Sequence, residues 1–226
     1  MSENCFQFYI LYVLMTSKDW FDLNFFIMLS IQEQSKVQAE IDMVTGSRLP
    51  GVADRAKLVY TEAALYEIMR LGIVAPLGVP HQTLCNTSVG GYDIPQNTMV
   101  FINHWALHND PKEWDSPQEF RPGRFIDEAG KLKPKVKSWL PFSAGRRACL
   151  GEFVAKPQLL LIFACILKRF KVSLPAGAVF DPSPQTGSMV LHIPKPYKII
   201  VTERVWLMKS SELAAFKVIP ENFFIQ

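Results

Sequence analysis

With 49% hydrophobic and 20% charged side chains, the 226-residue chain has the composition of a folded globular protein, which excludes a disordered tract and leaves room for one or two domains. A net charge of +3, without a basic stripe interleaved with aromatics, argues against nucleic acid as a partner. Cys5, Cys85, Cys149 and Cys165 form no C-x-x-C pair, which argues against a zinc site and a dense disulfide framework and fits reduced, intracellular thiols.

Phe6 to Met15 is a largely apolar run and Phe25 to Ile31 a shorter one, with Lys18, Asp19 and Asp22 between them. Neither reaches the roughly 18 apolar residues of a spanning helix. Glu3 is the one charged side chain before the first run, so the positive region of a signal peptide is lacking. Residues 1–31 are read as a divergent hydrophobic segment with no reliable anchor.

From Gln32 to Val44 the chain is rich in Gln, Glu, Lys and Ala, with Ile41 and Val44 on one side; this predicts an exposed amphipathic helix ending near Gly46. Ser47 to Lys57, containing Pro50 and Gly51, reads as a loop. A second helix is predicted from about Leu58 to Leu71, buried through Leu58, Ala64, Leu65, Ile68 and Leu71. It carries Glu67 and Arg70, which three-residue spacing places on one face as an ion pair. Alone, such a pair is solvated and contributes a few tenths of a kcal/mol.

A β region follows. Thr83 to Val89 and Tyr92 to Ile94 flank the hairpin signal Gly90-Gly91, and Thr98 to Ile102 follows a Pro95 turn. His81 alone reads equally as a strand-edge histidine. His104 and His108 stand four apart, but no third ligand accompanies them, so packing and hydrogen bonding are their expected roles rather than zinc.

The segment Phe142-Ser-Ala-Gly-Arg-Arg-Ala-Cys149-Leu-Gly151 precedes a nearly continuous apolar run to Phe170, a core helix with Pro157 early in it. A lone cysteine there is, in the bland reading, a small buried hydrophobe. In the other reading it is a metal-binding thiolate, favoured by the positive end of the helix and by Arg146 and Arg147, with Gly145 and Gly151 leaving room for a flat group against the backbone. Short strands are predicted around Val172, Met189 to Ile193 and Tyr197 to Val201.

Phe142, Gly145, Arg147, Cys149 and Gly151 match the F-x-x-G-x-R-x-C-x-G cysteine loop, and by it this chain resembles the cytochrome P450 family. The resemblance implies haem as cofactor, with Cys149 as axial iron ligand, pushing electron density onto iron to favour O–O cleavage. It places Arg147 and His81 against haem propionates. It likens Glu67 and Arg70 to the family's helix K signature, buried with a further arginine, here Arg124; Gly123 stands where the family commonly has Glu. It also likens the run after Cys149 to the helix behind the haem.

Residues 32–204 carry the resemblance, and residues 205–226 form a divergent tail. The implied fold is mainly α (α+β), the C-terminal part of the cytochrome P450 fold, with helices around a haem site and a small β-sheet insert. Pro80-His81 and Trp105-Ala-Leu-His108 liken it to the microsomal animal branch, to steroid 17-hydroxylase-like and aryl-hydrocarbon-hydroxylase-like members. The implied function is monooxygenation of a small apolar substrate with electrons from NADPH-cytochrome P450 reductase at the endoplasmic reticulum membrane. Thr16-Ser-Lys-Asp19 does not match the family's oxygen-activating acid-threonine helix. The alternatives are therefore a haem-binding but catalytically incompetent fragment, and an α+β interaction domain in which Cys149 is structural.

Overall fold

A computed structural model describes residues 31–134, 136–178, 191–192, 195, 198–204 and 223–225. The apolar runs expected before Ile31, and all but residues 223–225 of the tail, lie outside the described residues. Helix α1 spans Ile31–Thr45, α2 Val59–Leu71, α3 His104–Asn109 and α4 Glu152–Arg169. The strands are β1 (His81–Gln82), β2 (Thr87–Val89), β3 (Tyr92–Ile94), β4 (Met99–Val100), β5 (Phe170–Ser173), β6 (Ile199–Glu203) and β7 (Phe223–Ile225).

The core forms where α1, α2 and α4 meet, through Val37, Ile41, Leu65, Ile68, Phe163 and Leu167, all at most 1% exposed. Two of the three glutamines of α1 depart from the exposed helix that its polar composition predicts, because Gln34 and Gln38 are buried. The Gln34 amide mimics a paired strand: its Nε2 donates to the Val172 carbonyl and its Oε1 accepts from the Val172 amide, both at 3.0 Å. A buried amide with both functions engaged avoids the penalty of an unmet polar group.

Helix α1 also caps α2. The first amides of a helix have no partner within it, and here Glu40 Oε1 accepts from Tyr60 N at 2.8 Å while Glu40 Oε2 accepts from Thr61 N at 2.7 Å. The carboxylate sits at the positive end of the α2 dipole. Before α2, the expected loop is half replaced by a 3₁₀ helix over Val52–Lys57. Asp54 builds it, accepting from Gly51 N at 2.8 Å and from both terminal nitrogens of Arg48 at 2.6 Å.

The β region is two small antiparallel ladders rather than long strands. β1 pairs β4 through His81↔Val100, and β2 pairs β3 through Thr87↔Ile94 to Val89↔Tyr92. Gly90 and Gly91 turn the hairpin with φ of +60° and +85°, the two positive angles that a type I′ turn requires. Thr83 bonds instead across the Pro95 turn, its hydroxyl donating to the Pro95 carbonyl at 2.7 Å, so no strand runs through it. β6 lies between β5 and β7 in an antiparallel sheet. Of the strand expected at 189–193, Leu191 and His192 are described and neither is in a strand; His192 N donates to the Val74 carbonyl at 2.8 Å.

Helix α4 is buried in one half only. Leu160 to Lys168 carry its buried residues, whereas Phe153 and Val154 in its first turn are 78% and 59% exposed, so the continuous core helix expected from apolarity holds for the second half alone. Pro157 lies inside it and offers no amide to the Phe153 carbonyl one turn back, which an exposed turn tolerates because water can serve that carbonyl. At the other end the buried Lys168 donates to Asp42 Oδ1 at 2.8 Å and the Gly46 carbonyl at 2.5 Å.

Candidate functional site

The polar centre of the molecule is Glu67, fully buried on α2. Arg70 donates to it from Nε at 2.7 Å and from Nη2 at 2.9 Å. Arg124 Nε donates to Glu67 Oε1 at 3.0 Å, and the Arg121 backbone amide to the same oxygen at 3.0 Å. Both guanidiniums also donate to carbonyls: Arg70 to His108 at 2.7 Å, Arg124 to Asp115 at 2.9 Å and Glu119 at 3.2 Å. Charge-assisted hydrogen bonds from this many donors offset the cost of taking the carboxylate out of water. Both guanidiniums also lie over the Trp114 ring, at 5.0 and 5.8 Å from its centroid.

Around Trp114 a second, aromatic cluster holds Phe125, with Tyr66 and Trp139 packed against it. Tyr66 and Trp139 stack at 4.2 Å, and Trp139 Nε1 donates to the Tyr66 carbonyl at 2.9 Å. This fixes the chain just before the cysteine loop onto α2. Lys156, on α4, lies 4.7 Å from the Trp139 ring centroid and 5.7 Å from that of Phe142, and pairs with Glu152 at 2.5 Å.

The cysteine loop is a closed unit. Ser143 N donates to the Leu140 carbonyl at 3.1 Å, and Cys149 N donates to the Phe142 carbonyl at 2.9 Å. Between these bonds Gly145–Arg147 form one 3₁₀ turn. Gly145 has φ +74°, a left-handed backbone that favours glycine, and an added Cβ would meet nothing. Gly151 caps α4 with φ −81°, and a Cβ there would lie 3.8 Å from Cys149 Sγ. Of the two, Gly145 alone has a backbone that favours glycine.

Cys149 is exposed, three residues before the start of α4 at Glu152, with Arg147 also exposed. Leu150 and Phe153, close to it in sequence, are 92% and 78% exposed. Phe142 turns inward and packs on the helical core. His81 stands apart in β1, half-buried, and among the described residues makes no hydrogen bond or ion pair with the loop. The donor set for a metal is a single thiol, since no group of three His, Cys, Asp or Glu converges among the described residues. Zinc needs three or four protein ligands, whereas iron in a tetrapyrrole takes four from the macrocycle and needs one from the protein. The residues present therefore fit haem.

His108 packs and hydrogen-bonds, as its sequence context leads one to expect, but its partners are two backbone groups that no sequence pattern indicates. Its ring is buried, with Nδ1 3.2 Å from the Arg70 carbonyl, and its Nε2 accepts from the Leu140 amide at 2.9 Å. An acceptor at Nε2 places the proton on Nδ1, so both contacts agree on one tautomer. Burial above all, with Arg70 and His104 adding their charges, pulls its pKa down to about 4 against the opposing bond to the Arg70 carbonyl. The four-residue spacing to His104 is not part of a metal cluster among the described residues.

The family model for Cytochrome P450 matches residues 25–201. Cytochrome P450 2U1 of Mus musculus is 38% identical over 181 residues, covering 79% of this chain and 34% of its own. Steroid 17-alpha-hydroxylase/17,20 lyase is 47% identical in Gallus gallus over 164 residues, covering 72% and 32%, and 39% identical in Peromyscus leucopus over 196 residues, covering 85% and 38%. The chain spans about a third of the length of the curated relatives it matches.

Proposed function

The chain belongs to the cytochrome P450 family, and from that premise we propose that it forms the haem-thiolate portion of a monooxygenase acting on an apolar, steroid-like substrate. The observation that carries this reading is the exposed Cys149 thiol in its closed loop at the head of α4. Haem, when bound, supplies the iron at which dioxygen is activated for insertion into a carbon–hydrogen bond.

The chain's own residues would do the holding. Cys149 would ligate the iron, Arg147 and His81 would donate to the two propionates, and Gly145, Gly151 and Phe142 would shape the loop that holds the group. Glu67, Arg70 and Arg124 keep the scaffold under that loop rigid. Electrons come from NADPH-cytochrome P450 reductase. The relatives named steroid 17-alpha-hydroxylase support the substrate class. The site of action is the endoplasmic reticulum membrane, as for microsomal relatives; among the described residues no helix is long and apolar enough to cross a membrane.

The chain is loaded with haem, reduced, and exposed to carbon monoxide. A red-shifted, thiolate-type Soret band that disappears in Cys149→Ser is the expected result, and its absence in the unsubstituted chain overturns the reading. A second reading, haem binding without turnover, is favoured by the bare apolar surface at Leu150 and Phe153. Reductase-coupled hydroxylation of a steroid by the haem-loaded chain separates the two.

A further inference from the structure

We propose that His108 is a positioning residue for Cys149, acting through the backbone of the cysteine loop. The connection is continuous. His108 Nε2 accepts from Leu140 N at 2.9 Å, the Leu140 carbonyl accepts from Ser143 N at 3.1 Å, and the Phe142 carbonyl accepts from Cys149 N at 2.9 Å. On its other side the imidazole donates from Nδ1 to the Arg70 carbonyl at 3.2 Å. The ring is therefore a rigid spacer between the carboxyl-terminal turn of α2 and the first residue of the turn that leads to the thiol.

A neutral ring is required, because a proton on Nε2 would set two donors against each other at the Leu140 amide. The surroundings enforce neutrality: the ring is fully buried, the Arg70 guanidinium and His104 face it from α2 and α3, and the Trp114 ring covers its edge at 6.5 Å. Arg70 Nη1 donates to the His108 backbone carbonyl, so the residue is fixed at main chain and side chain alike. The Glu67 centre is thereby coupled to the cysteine loop by geometry as well as by charge. Only the spectroscopic consequence of this proposal rests on Cys149 being an iron ligand.

The test compares His108→Gln, whose amide oxygen can still reach Leu140 N, with His108→Asn, whose shorter side chain retains the Nδ1-side donor and not the reach. Hydrogen exchange of the 226-residue chain in detergent should show the Leu140 and Ser143 amides exchanging on the order of tenfold faster in His108→Asn than in His108→Gln, the weight of one neutral hydrogen bond. Loaded with haemin, His108→Asn should shift from the thiolate-type to the thiol-type spectrum while His108→Gln holds the former. Equal exchange in the two variants overturns the proposal, whatever the spectrum. Should the unsubstituted chain give no thiolate spectrum, the functional reading fails and exchange still decides the role of His108. If both variants unfold, the nitrogen chemical shifts of the His108 ring in the unsubstituted chain decide: Nδ1–H supports the proposal, and Nε2–H, which cannot accept from Leu140, overturns it.

Discussion

Arg70 and His108 hold each other twice, the guanidinium donating from Nη1 to the His108 carbonyl at 2.7 Å and the imidazole donating from Nδ1 to the Arg70 carbonyl at 3.2 Å. The exchange links α2 to α3 across 38 residues of chain and brings the charge of the Glu67 centre up to a neutral ring. Two side chains that are individually costly to bury become mutually necessary.

Glu67→Ala should be among the most damaging single substitutions in this chain. It removes the acceptor of three guanidinium bonds and of the Arg121 amide, and leaves Arg70 and Arg124 with their charges uncompensated. Breaking a buried pair by removing one partner costs about 3–5 kcal/mol. Urea unfolding of the substituted chain measures it, and an unaltered midpoint would show that the centre is solvated.

Stability should fall as pH drops from about 6.5 to about 4, because of His108. Its folded pKa is depressed to about 4 by burial, while the unfolded residue takes its proton near 6.5. Across that window the unfolded state binds more protons, so the contribution is complete above 6.5 and is lost as pH falls through 4. The difference of about 2.5 pH units corresponds to about 3 kcal/mol. His192, also held low by burial, acts in the same direction. Asp54 does not enter, since the Arg48 hydrogen bonds hold it down to about 2 and its contribution is lost only below the ordinary carboxylate range. Chemical denaturation at stepped pH should show a flatter profile between 6.5 and 4 in His108→Gln, and an unchanged slope would remove His108 as its source.

What could be read from the sequence was whatever depends on near neighbours. Glu67 and Arg70 share a face by spacing alone, Gly90-Gly91 demands a turn, and the apolar periodicity of 58–71 marks a buried helix. Burial of that ion pair is set by Arg121 and Arg124, more than fifty residues on, and no local pattern carries it. Gln34 read as an exposed helix residue because its partner, Val172, lies 138 residues away. A packing and hydrogen-bonding role for His108 was legible, but its partner was not, because its acceptor function serves a backbone amide, which has no side-chain signature in any sequence. The cysteine loop was legible as a motif, while the bare first turn of α4 was not, because apolarity announces a buried surface without saying what buries it.

The two loop glycines should respond differently to alanine. Gly145 has φ +74°, where an L-residue costs about 1–2 kcal/mol, whereas Gly151 has φ −81°, open to any residue. Gly145→Ala should therefore lower the unfolding free energy by about that amount and Gly151→Ala by less, since its αR backbone carries no such strain. The Cβ added at Gly151 lies 3.8 Å from Cys149 Sγ, so its effect belongs in haem titrations instead. Equal losses of stability from both would mean that loop conformation does not set the requirement at Gly145.

The bare end of α4 makes the chain prone to associate, and the contribution of that end is separable from the contribution of the buried end. Leu150 and Phe153, 92% and 78% exposed, present large apolar side chains within four residues of Cys149 in sequence, while Phe163 in α4 is 1% exposed within the core. Exposed apolar surface of this kind drives contact with other apolar surfaces. Leu150→Gln combined with Phe153→Gln should lower self-association, measured by sedimentation velocity, and change the unfolding free energy by less than about 0.5 kcal/mol, as exposed positions do. Phe163→Ala should do the reverse, costing about 3–5 kcal/mol without reducing association of the folded chain. If the double glutamine variant associates as strongly as the unsubstituted chain, the sticky surface lies elsewhere, and the exposed β1–β4 region with Val79 and Phe101 is the next surface to test.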